Sequence, residues 1–347
     1  MTGLADCDTI SGMKATTEHP YPKNFEEFLD WFSTDQDCAD YLEWVRWGDG
    51  FTCSKCGGHD YWQMSDGIRR CKRCRFKNRV TAGTVFEDGR KSLRLWFHVM
   101  WLLMAQKTGM SAQNFHDAFG FGSYQTSWGW LQKLRSVMIR SGREKLAGRV
   151  EVDETYVGGQ KEGKRGRGAE SKTLVIVAIE GESGKKLGRV RFKIINRATS
   201  AEIKPFVEDC IERSATIVTD GLKSYDFLDG LSVKHEKYVQ SGANTTKENE
   251  SRLEHVHLVI SLLKRWLLGT HQGAVTPMHL SEYLDEFAFR FNRRTSMHRG
   301  KLFHRMIQQA VTMRPKSIKE FYVSSPRKDG PECYARQSAT QLILSRT

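Results

Sequence analysis

The spacing of apolar residues predicts helices in the first part of the chain. In residues 24–47, apolar side chains recur every three or four positions, which predicts two short helices. Residues 93–108 are apolar enough for a buried helix. Two more helices are predicted at 111–118 and 123–139, each opened by a serine that can cap it. The glycines between this last pair fit a helix-turn-helix, although an ordinary helical bundle fits the same pattern.

From residue 148 onward the pattern changes to short runs rich in β-branched residues. The predicted strands lie at 149–157, 173–180, 189–196, 215–219 and 233–238, and the predicted helices at 200–212, 248–268 and 278–292. Three strands followed by a helix, two strands and further helices predict an α/β domain with a mixed sheet.

Charge is distributed unevenly along the chain. The 347 residues include 54 Lys and Arg against 41 Asp and Glu, a net charge of +13, yet residues 1–50 hold only 3 basic and 11 acidic side chains. A basic body of this size indicates a polyanionic partner, most simply nucleic acid, with plain solubility charge as the alternative. No run is apolar enough for a membrane span or a secretory signal, so we expect an intracellular protein.

Four of the eight cysteines have the spacing of a metal site. Cys53 and Cys56 form one Cys-x2-Cys pair, and Cys71 and Cys74 form a second. Four thiolates on two tight turns are the ligands of structural Zn²⁺. Seven basic residues surround the second pair, with no acid from 67 to 79: Arg69, Arg70, Lys72, Arg73, Arg75, Lys77 and Arg79. We expect them to bind the DNA backbone, with a solvated protein-interaction face as the alternative.

Two aspartates and one helix carry the candidate catalytic chemistry. Asp153 lies in the predicted strand 149–157, and Asp220 directly follows the predicted strand 215–219. Taken alone, each is compatible with a turn or capping role. On the predicted helix that follows, Glu254, His257 and Lys264 fall on one polar stripe, where His257 can join the two aspartates.

The motifs together resemble a family. After the four-cysteine ribbon, the chain reads Val-Asp-Glu-Thr-Tyr-Val-Gly-Gly at 152–159, Thr-Asp-Gly at 219–221 and Ser-Leu-Leu-Lys-Arg at 261–265. This combination resembles DDE-type insertion-sequence transposases of the ISXO-like branch, and the resemblance covers residues 24–312. It implies a multidomain protein with a polar arm (1–23), short helices and a zinc ribbon (24–90), a helix-turn-helix-like region (91–147), an α/β ribonuclease-H-like catalytic domain (148–312) and a polar tail (313–347).

The resemblance also implies a reaction and its ligands. Asp153, Asp220 and His257 would hold two Mg²⁺ or Mn²⁺ ions, with Lys264 beside them. The family's third ligand is often a glutamate, so Glu254 is a rival one turn earlier, while the two-turn spacing to Lys264 favours His257. The implied chemistry is phosphodiester hydrolysis followed by transesterification: DNA cleavage at terminal inverted repeats and strand transfer into target DNA. An imidazole ligand shifts the expected metal preference toward Mn²⁺.

The resemblance implies double-stranded DNA as the partner, a homodimer or larger assembly on DNA, and a location in the prokaryotic cytoplasm at the nucleoid. A glycine-rich basic loop and one helical arginine are further candidate DNA contacts, with ordinary surface roles as the alternative: Lys161, Lys164, Arg165, Arg167 and Arg265. Tyr225 and Trp266 are expected to pack rather than to stack on a base. The competing functions are a catalytically inactive or domesticated DNA-binding protein, and a nuclease without strand transfer.

Overall fold

The computed structural model describes residues 14–64, 67–87, 91–139, 142–158, 172–181, 187–231, 233–238, 253–272, 275–313 and 320–321. The chain forms two compact units. Unit 1 comprises Met1–Met138 and Thr295–Ser317, and unit 2 comprises Ile139–Arg294 and Ile318–Thr347. Among the residues described, no helix combines the length and the apolar character needed to cross a membrane.

Unit 1 begins with the two predicted short helices, α1 (Phe25–Trp31) and α2 (Asp35–Trp47). Thr34 starts α2 with a capping box, because its side chain accepts a hydrogen bond from the Asp37 N–H while the Asp37 carboxylate accepts from the Thr34 N–H. These caps define the two helices as separate elements. They confirm the interpretation of residues 24–47.

A small antiparallel sheet follows α2. Its strands are β1 (Tyr61–Gln63), β2 (Arg69–Cys71) and β3 (Lys77–Asn78), in that order. Trp47 and Phe51 pack with Cys53 and Cys71 beneath the sheet. This is the predicted cysteine module, and it is held to the end of α2 by apolar contacts.

Unit 1 continues with the helices α3 (Leu93–Ala105), α4 (Ala112–Phe119) and α5 (Tyr124–Ser136). Ser111 and Ser123 cap α4 and α5 as predicted. Gly120 ends α4 in a left-handed conformation with φ +59°, and α5 packs back against α4. The pair therefore has helix-turn-helix connectivity, and its role in DNA recognition stays a prediction.

The helix α9 (Arg299–Thr312) also belongs to unit 1. It packs on α2 and α3. Its residue Phe303 contacts Phe28 and Phe32, of α1 and its C-cap, and Phe97 of α3, edge-on or at a tilt. The predicted domain 148–312 assigned this segment to the α/β region, and the packing places it elsewhere. Burial of Phe303 in the aromatic cluster is the physical reason.

Unit 2 contains a five-stranded mixed sheet. Its strands are β4 (Arg149–Val157), β5 (Thr173–Glu180), β6 (Val190–Ile195), β7 (Thr216–Thr219) and β8 (Lys234–Lys237). The order across the sheet is β6-β5-β4-β7-β8; β4, β5 and β6 pair antiparallel, whereas β7 pairs parallel with both β4 and β8. The predicted mixed sheet is thus confirmed.

Helices cover both faces of this sheet. One face packs on α6 (Ser200–Cys210) and on a 3₁₀ helix, Lys223–Gly230. The other packs on α7 (Glu254–His271) and α8 (Leu280–Phe291). Because side chains alternate along a strand, Val150 and Val152 of β4 point toward α6, while Glu151 and Asp153 point toward α7. This alternation sets two acidic side chains under the first turn of α7.

Candidate active site and zinc module

The four cysteines of unit 1 converge. The sulfur atoms of Cys53, Cys56, Cys71 and Cys74 all lie within 4.8 Å of one another. Each pair sits on the same kind of turn, closed by a hydrogen bond to the first cysteine's carbonyl: Gly57 N–H to Cys53 O (2.9 Å) and Arg75 N–H to Cys71 O (3.0 Å). Within the part of the chain that the structure describes, the cluster consists of these four thiols alone, and such a set fits structural zinc.

In unit 2, β4 is longer than its neighbour β7, and this difference opens the candidate active site. Glu151 pairs with Val218, and β7 ends one residue later at Thr219. Asp153 therefore lies on β4 just beyond the last paired residues, with Asp220 following β7 at the same level. Gly221 has φ +79°, and the Asp220 carboxylate accepts a hydrogen bond from the Leu222 N–H (3.1 Å), so the chain turns sharply after Asp220.

A cavity of about 710 Å³ opens at this point, and Asp153 and Asp220 both line it. Its wall also includes the cationic side chains of Arg197 and Lys223, together with Glu154 and several neutral residues. A half-open cavity with two carboxylates and a cationic rim can admit an anionic substrate next to a cation.

The helix α7 brings His257 to the same site. Its Nε2 atom lies 3.3 Å from Asp153 Oδ2, and its side chain is half exposed. The hydrogen bond from His257 to Asp153 raises the pKa of the imidazole, which burial opposes, and the charges of Glu151 and Asp220 raise it further. The two residues that the sequence separates by 104 positions are thus in contact.

The rival residue Glu254 lies one turn earlier on α7. Its carboxylate is 44 % exposed, and its Oε1 atom lies 3.8 Å from His255 Nε2. Of the two candidates, His257 is the one that contacts Asp153 in the structure.

Lys264 lies two turns beyond His257. Burial lowers the pKa of its amine, and the charge of Lys172 lowers it further, while the charge of Asp153 raises it. The spacing of seven residues, about two helical turns, places Lys264 on the same side of α7 as His257.

Glu151 joins the strand of Asp153 to the helix of His257. This carboxylate is almost completely buried, at 1 % exposure. Its Oε2 atom accepts hydrogen bonds from the N–H groups of His255 (3.0 Å) and Val256 (2.9 Å), and its Oε1 atom lies 2.7 Å from His255 Nδ1. Leu253, at the N-cap position of α7, has no polar side chain, so the carboxylate from β4 caps the helix instead.

Glu154 is the next carboxylate along β4. Burial raises its pKa to about 7, with the charges of Asp153 and Asp220 acting in the same direction, although a hydrogen bond from Tyr225 (2.7 Å) favours the charged form. Tyr225 is itself fully buried, which confirms the expected packing role.

Two family models match this chain. The ISXO2-like transposase domain matches residues 145–292, and the transposase zinc-ribbon domain matches residues 33–77. The chain therefore carries an ISXO2-like transposase domain, preceded by a transposase zinc-ribbon domain. It is also similar to an uncharacterised protein in the transposable element ISH50 of Halobacterium salinarum, with 28 % identity over 280 residues, covering 75 % of this chain and 91 % of that protein.

The seven basic residues predicted to bind DNA at the zinc ribbon differ in their exposure to solvent. The Arg69 guanidinium is 14 % exposed, forms an ion pair with Glu43, and packs over the rings of Trp47 (4.5 Å) and Tyr61 (4.6 Å). These contacts hold Arg69 against Glu43, Trp47 and Tyr61, and its predicted contact with DNA stays a prediction. Arg70 is half-buried, and five predicted residues are exposed: Lys72, Arg73, Arg75, Lys77 and Arg79.

The other residues that the sequence predicted to contact DNA fall into two groups. Arg265 is exposed on α7, whereas Lys161, Lys164, Arg165 and Arg167 lie outside the described residues. The sequence interpretation missed Glu151, Arg197 and Lys223. Glu151 could have been recognised from the sequence. It lies two positions before Asp153 on a buried strand, so both side chains are on the same face, and a buried charge needs a partner.

Proposed function

We propose that this protein is an active DNA transposase that cleaves the ends of its element and transfers them to target DNA. The contact between Asp153 and His257 at a cavity that Asp220 also lines carries this proposal. A mixed sheet with Asp153 on its central strand supports the ribonuclease-H-like assignment of unit 2. The basic ribbon and the helix-turn-helix connectivity of unit 1 support recognition of the element's ends.

The donor set of the site fits divalent metal ions. Asp153 and Asp220 supply carboxylate oxygens, which Mg²⁺ and Mn²⁺ both accept, and His257 supplies an imidazole nitrogen, which Mn²⁺ accepts more readily. When bound, such ions would activate the attacking oxygen and offset negative charge on the phosphoryl group.

The chain's own residues would position the DNA. Arg197 and Lys223 line the cavity beside the carboxylates, where their charges can hold phosphates on either side of the scissile bond. Lys264 would neutralise backbone charge from the side of α7. Glu151 would keep α7, and with it His257, at a fixed distance from Asp153.

Double-stranded DNA is the proposed partner, as terminal inverted repeats and as target. Since two ends must be joined in one event, we propose a homodimer or larger assembly on DNA, acting in the prokaryotic cytoplasm at the nucleoid. An inactive DNA-binding protein is the alternative.

Purified protein incubated with the DNA that flanks its own coding sequence tests the proposal. In Mg²⁺ or Mn²⁺, the wild type should cleave, and Asp153→Asn and His257→Ala should lose at least about 100-fold in rate, since each removes a ligand. Asp209→Asn, an exposed carboxylate on α6, is the matched control and should cleave normally. Binding without cleavage by the wild type would favour the inactive DNA-binding protein. Cleavage that survives His257→Ala but not Glu254→Ala would make Glu254 the third ligand.

A further inference from the structure

The small sheet of the zinc ribbon has two unlike faces. Across the strands, Tyr61 and Arg69 share one face with Asn78, and these residues are packed into unit 1. The register places Trp62 opposite Arg70, and Arg70 opposite Lys77, on the other face. One face is therefore structural, and the other forms a row of one aromatic and two basic side chains.

This second face is open to solvent. Trp62 is 40 % exposed, and Lys77 is also exposed. Arg70 Nε is shielded from solvent without a hydrogen-bond partner within the part of the chain that the structure describes. The exposed Trp62 ring therefore lies beside two cationic side chains, Arg70 and Lys77, on one face of the sheet.

The backbone at Arg75 shows a second unusual feature. In both cysteine turns, the residue after the second cysteine has a left-handed conformation: φ is +69° at Gly57 and +62° at Arg75. Glycine adopts this conformation without steric cost, whereas a side chain with a Cβ is strained there. The first turn has the residue that its geometry favours, and the second has an arginine in its place.

The Arg75 side chain reaches the open face. Its guanidinium lies 4.8 Å from the centre of the Trp62 ring, within the range of a cation–π contact, and Arg75 is exposed. Arg75 thus adds a third positive charge to the row formed by Trp62, Arg70 and Lys77. An exposed cation–π contact alone stabilises too weakly to account for a strained backbone at this position.

We propose that this open face binds duplex DNA, and that Arg75 occupies a glycine-type position because its guanidinium contacts the DNA. We call the surface of Trp62, Arg70, Arg75 and Lys77 the ribbon face. Three positive charges and the absence of any acid from residue 67 to 79 make it complementary to phosphates, and the Trp62 ring offers an apolar surface for sugars or base edges. The proposal rests on the proposed function, which supplies DNA as the partner.

The substitution Arg75→Gly separates binding from folding. It removes the contact and relieves the backbone strain, so a structural role predicts a loss of stability, whereas the proposed role does not. The full-length variant should bind one zinc per chain and unfold at the same temperature as the wild type or higher. Its affinity for a duplex of the flanking DNA should fall about tenfold, and the salt dependence of binding should weaken by about one phosphate contact.

Trp62→Ala and Trp62→Phe test the aromatic part of the ribbon face. The alanine variant should lose affinity, and the phenylalanine variant should retain most of it because the flat ring remains. Arg213→Gly is the matched control, because Arg213 is an exposed arginine in a turn of unit 2, at the end of the sheet opposite Asp220. It should change affinity by less than about twofold.

The outcomes distinguish this proposal from the proposed function. If the wild type binds the duplex and Arg75→Gly binds as tightly as Arg213→Gly, the ribbon face is not the DNA contact, while the transposase proposal stands. A clear drop in unfolding temperature for Arg75→Gly would instead assign Arg75 a structural role. If the wild type binds neither the flanking duplex nor a random duplex of equal length, both proposals are wrong.

Discussion

Replacement of Glu151 should weaken both the folded state and the candidate active site. The carboxylate is 1 % exposed and accepts two backbone N–H groups from the first turn of α7. Glu151→Ala would leave these donors and the His255 imidazole without their buried partner. Each buried donor left unpaired typically costs about 1–3 kcal/mol, so we expect a total loss of about 3–5 kcal/mol. Glu151→Gln keeps the shape and one accepting oxygen, so we expect a smaller loss of about 1–3 kcal/mol.

Hydrogen exchange measures this effect locally. The amides of His255 and Val256 are the donors to Glu151, so their exchange should accelerate in Glu151→Gln, while amides of the α6 helix keep their protection. DNA cleavage should also slow under conditions where the variant is fully folded, because the first turn of α7 carries His257. We expect the turnover rate to fall more than the affinity for DNA.

Glu180→Gln is the matched control for Glu151→Gln. Glu180, on β5, also accepts backbone hydrogen bonds, from Ala147 (2.9 Å) and Arg189 (2.9 Å), but α7 is not among these partners. This variant should lose stability without a specific loss of cleavage. The reasoning would be refuted if Glu151→Gln left the exchange of His255 and Val256 unchanged, or if both variants slowed cleavage equally once the folded fraction was accounted for.

Four further outcomes follow from the structure. Gly181→Ala should reduce the free energy of unfolding by about 1–3 kcal/mol, because a Cβ there would lie 2.8 Å from the His255 ring. Urea denaturation measures this loss as a lower midpoint. Burial lowers the pKa of His304 from the usual 6.5 to about 4 in the folded state, so the protein takes up a proton when it unfolds between these pH values. The free energy of unfolding should therefore fall by about 3 kcal/mol as the pH drops from 6.5 to 4. His304→Leu should remove this dependence. Removal of zinc by a chelator, or Cys71→Ser, should unfold the ribbon, seen as faster exchange of its amides. Cleavage should be faster in Mn²⁺ than in Mg²⁺, and equal or faster cleavage in Mg²⁺ across a titration would argue against His257 as a direct ligand.

Local signals account for most of the elements that the sequence predicted correctly. Serine caps and three- to four-residue periodicity defined α4 and α5, and alternation of apolar residues defined β4. The cysteine module was predictable for a similar reason, since two Cys-x2-Cys turns are short-range features. In each case, the determining interactions lie within a few residues in the sequence.

Long-range contacts account for what the sequence did not reveal. Arg69 belongs to the same basic run as Arg75, yet one is fixed by Glu43 and the other is exposed. Nothing local distinguishes them, because the difference arises from contacts across 26 positions. Likewise, the position of α9 depends on an aromatic cluster assembled from both ends of unit 1, and the partner of Glu151 lies 104 positions away.

Glu151 is expected to support both stability and cleavage, whereas Arg75 is expected to support DNA affinity at a cost in stability. At Glu151, one set of hydrogen bonds stabilises α7 and also positions His257, so any change that loosens the fold there should also slow cleavage. At Arg75, the side chain occupies a backbone conformation that favours glycine, so stability and DNA affinity should change in opposite directions. Unfolding temperatures, cleavage rates and DNA affinities of Glu151→Gln and Arg75→Gly therefore test whether stability and function change together at Glu151 and in opposite directions at Arg75. If both variants lost stability in proportion to activity, Arg75 would be a structural residue, and the ribbon face would lose its main support.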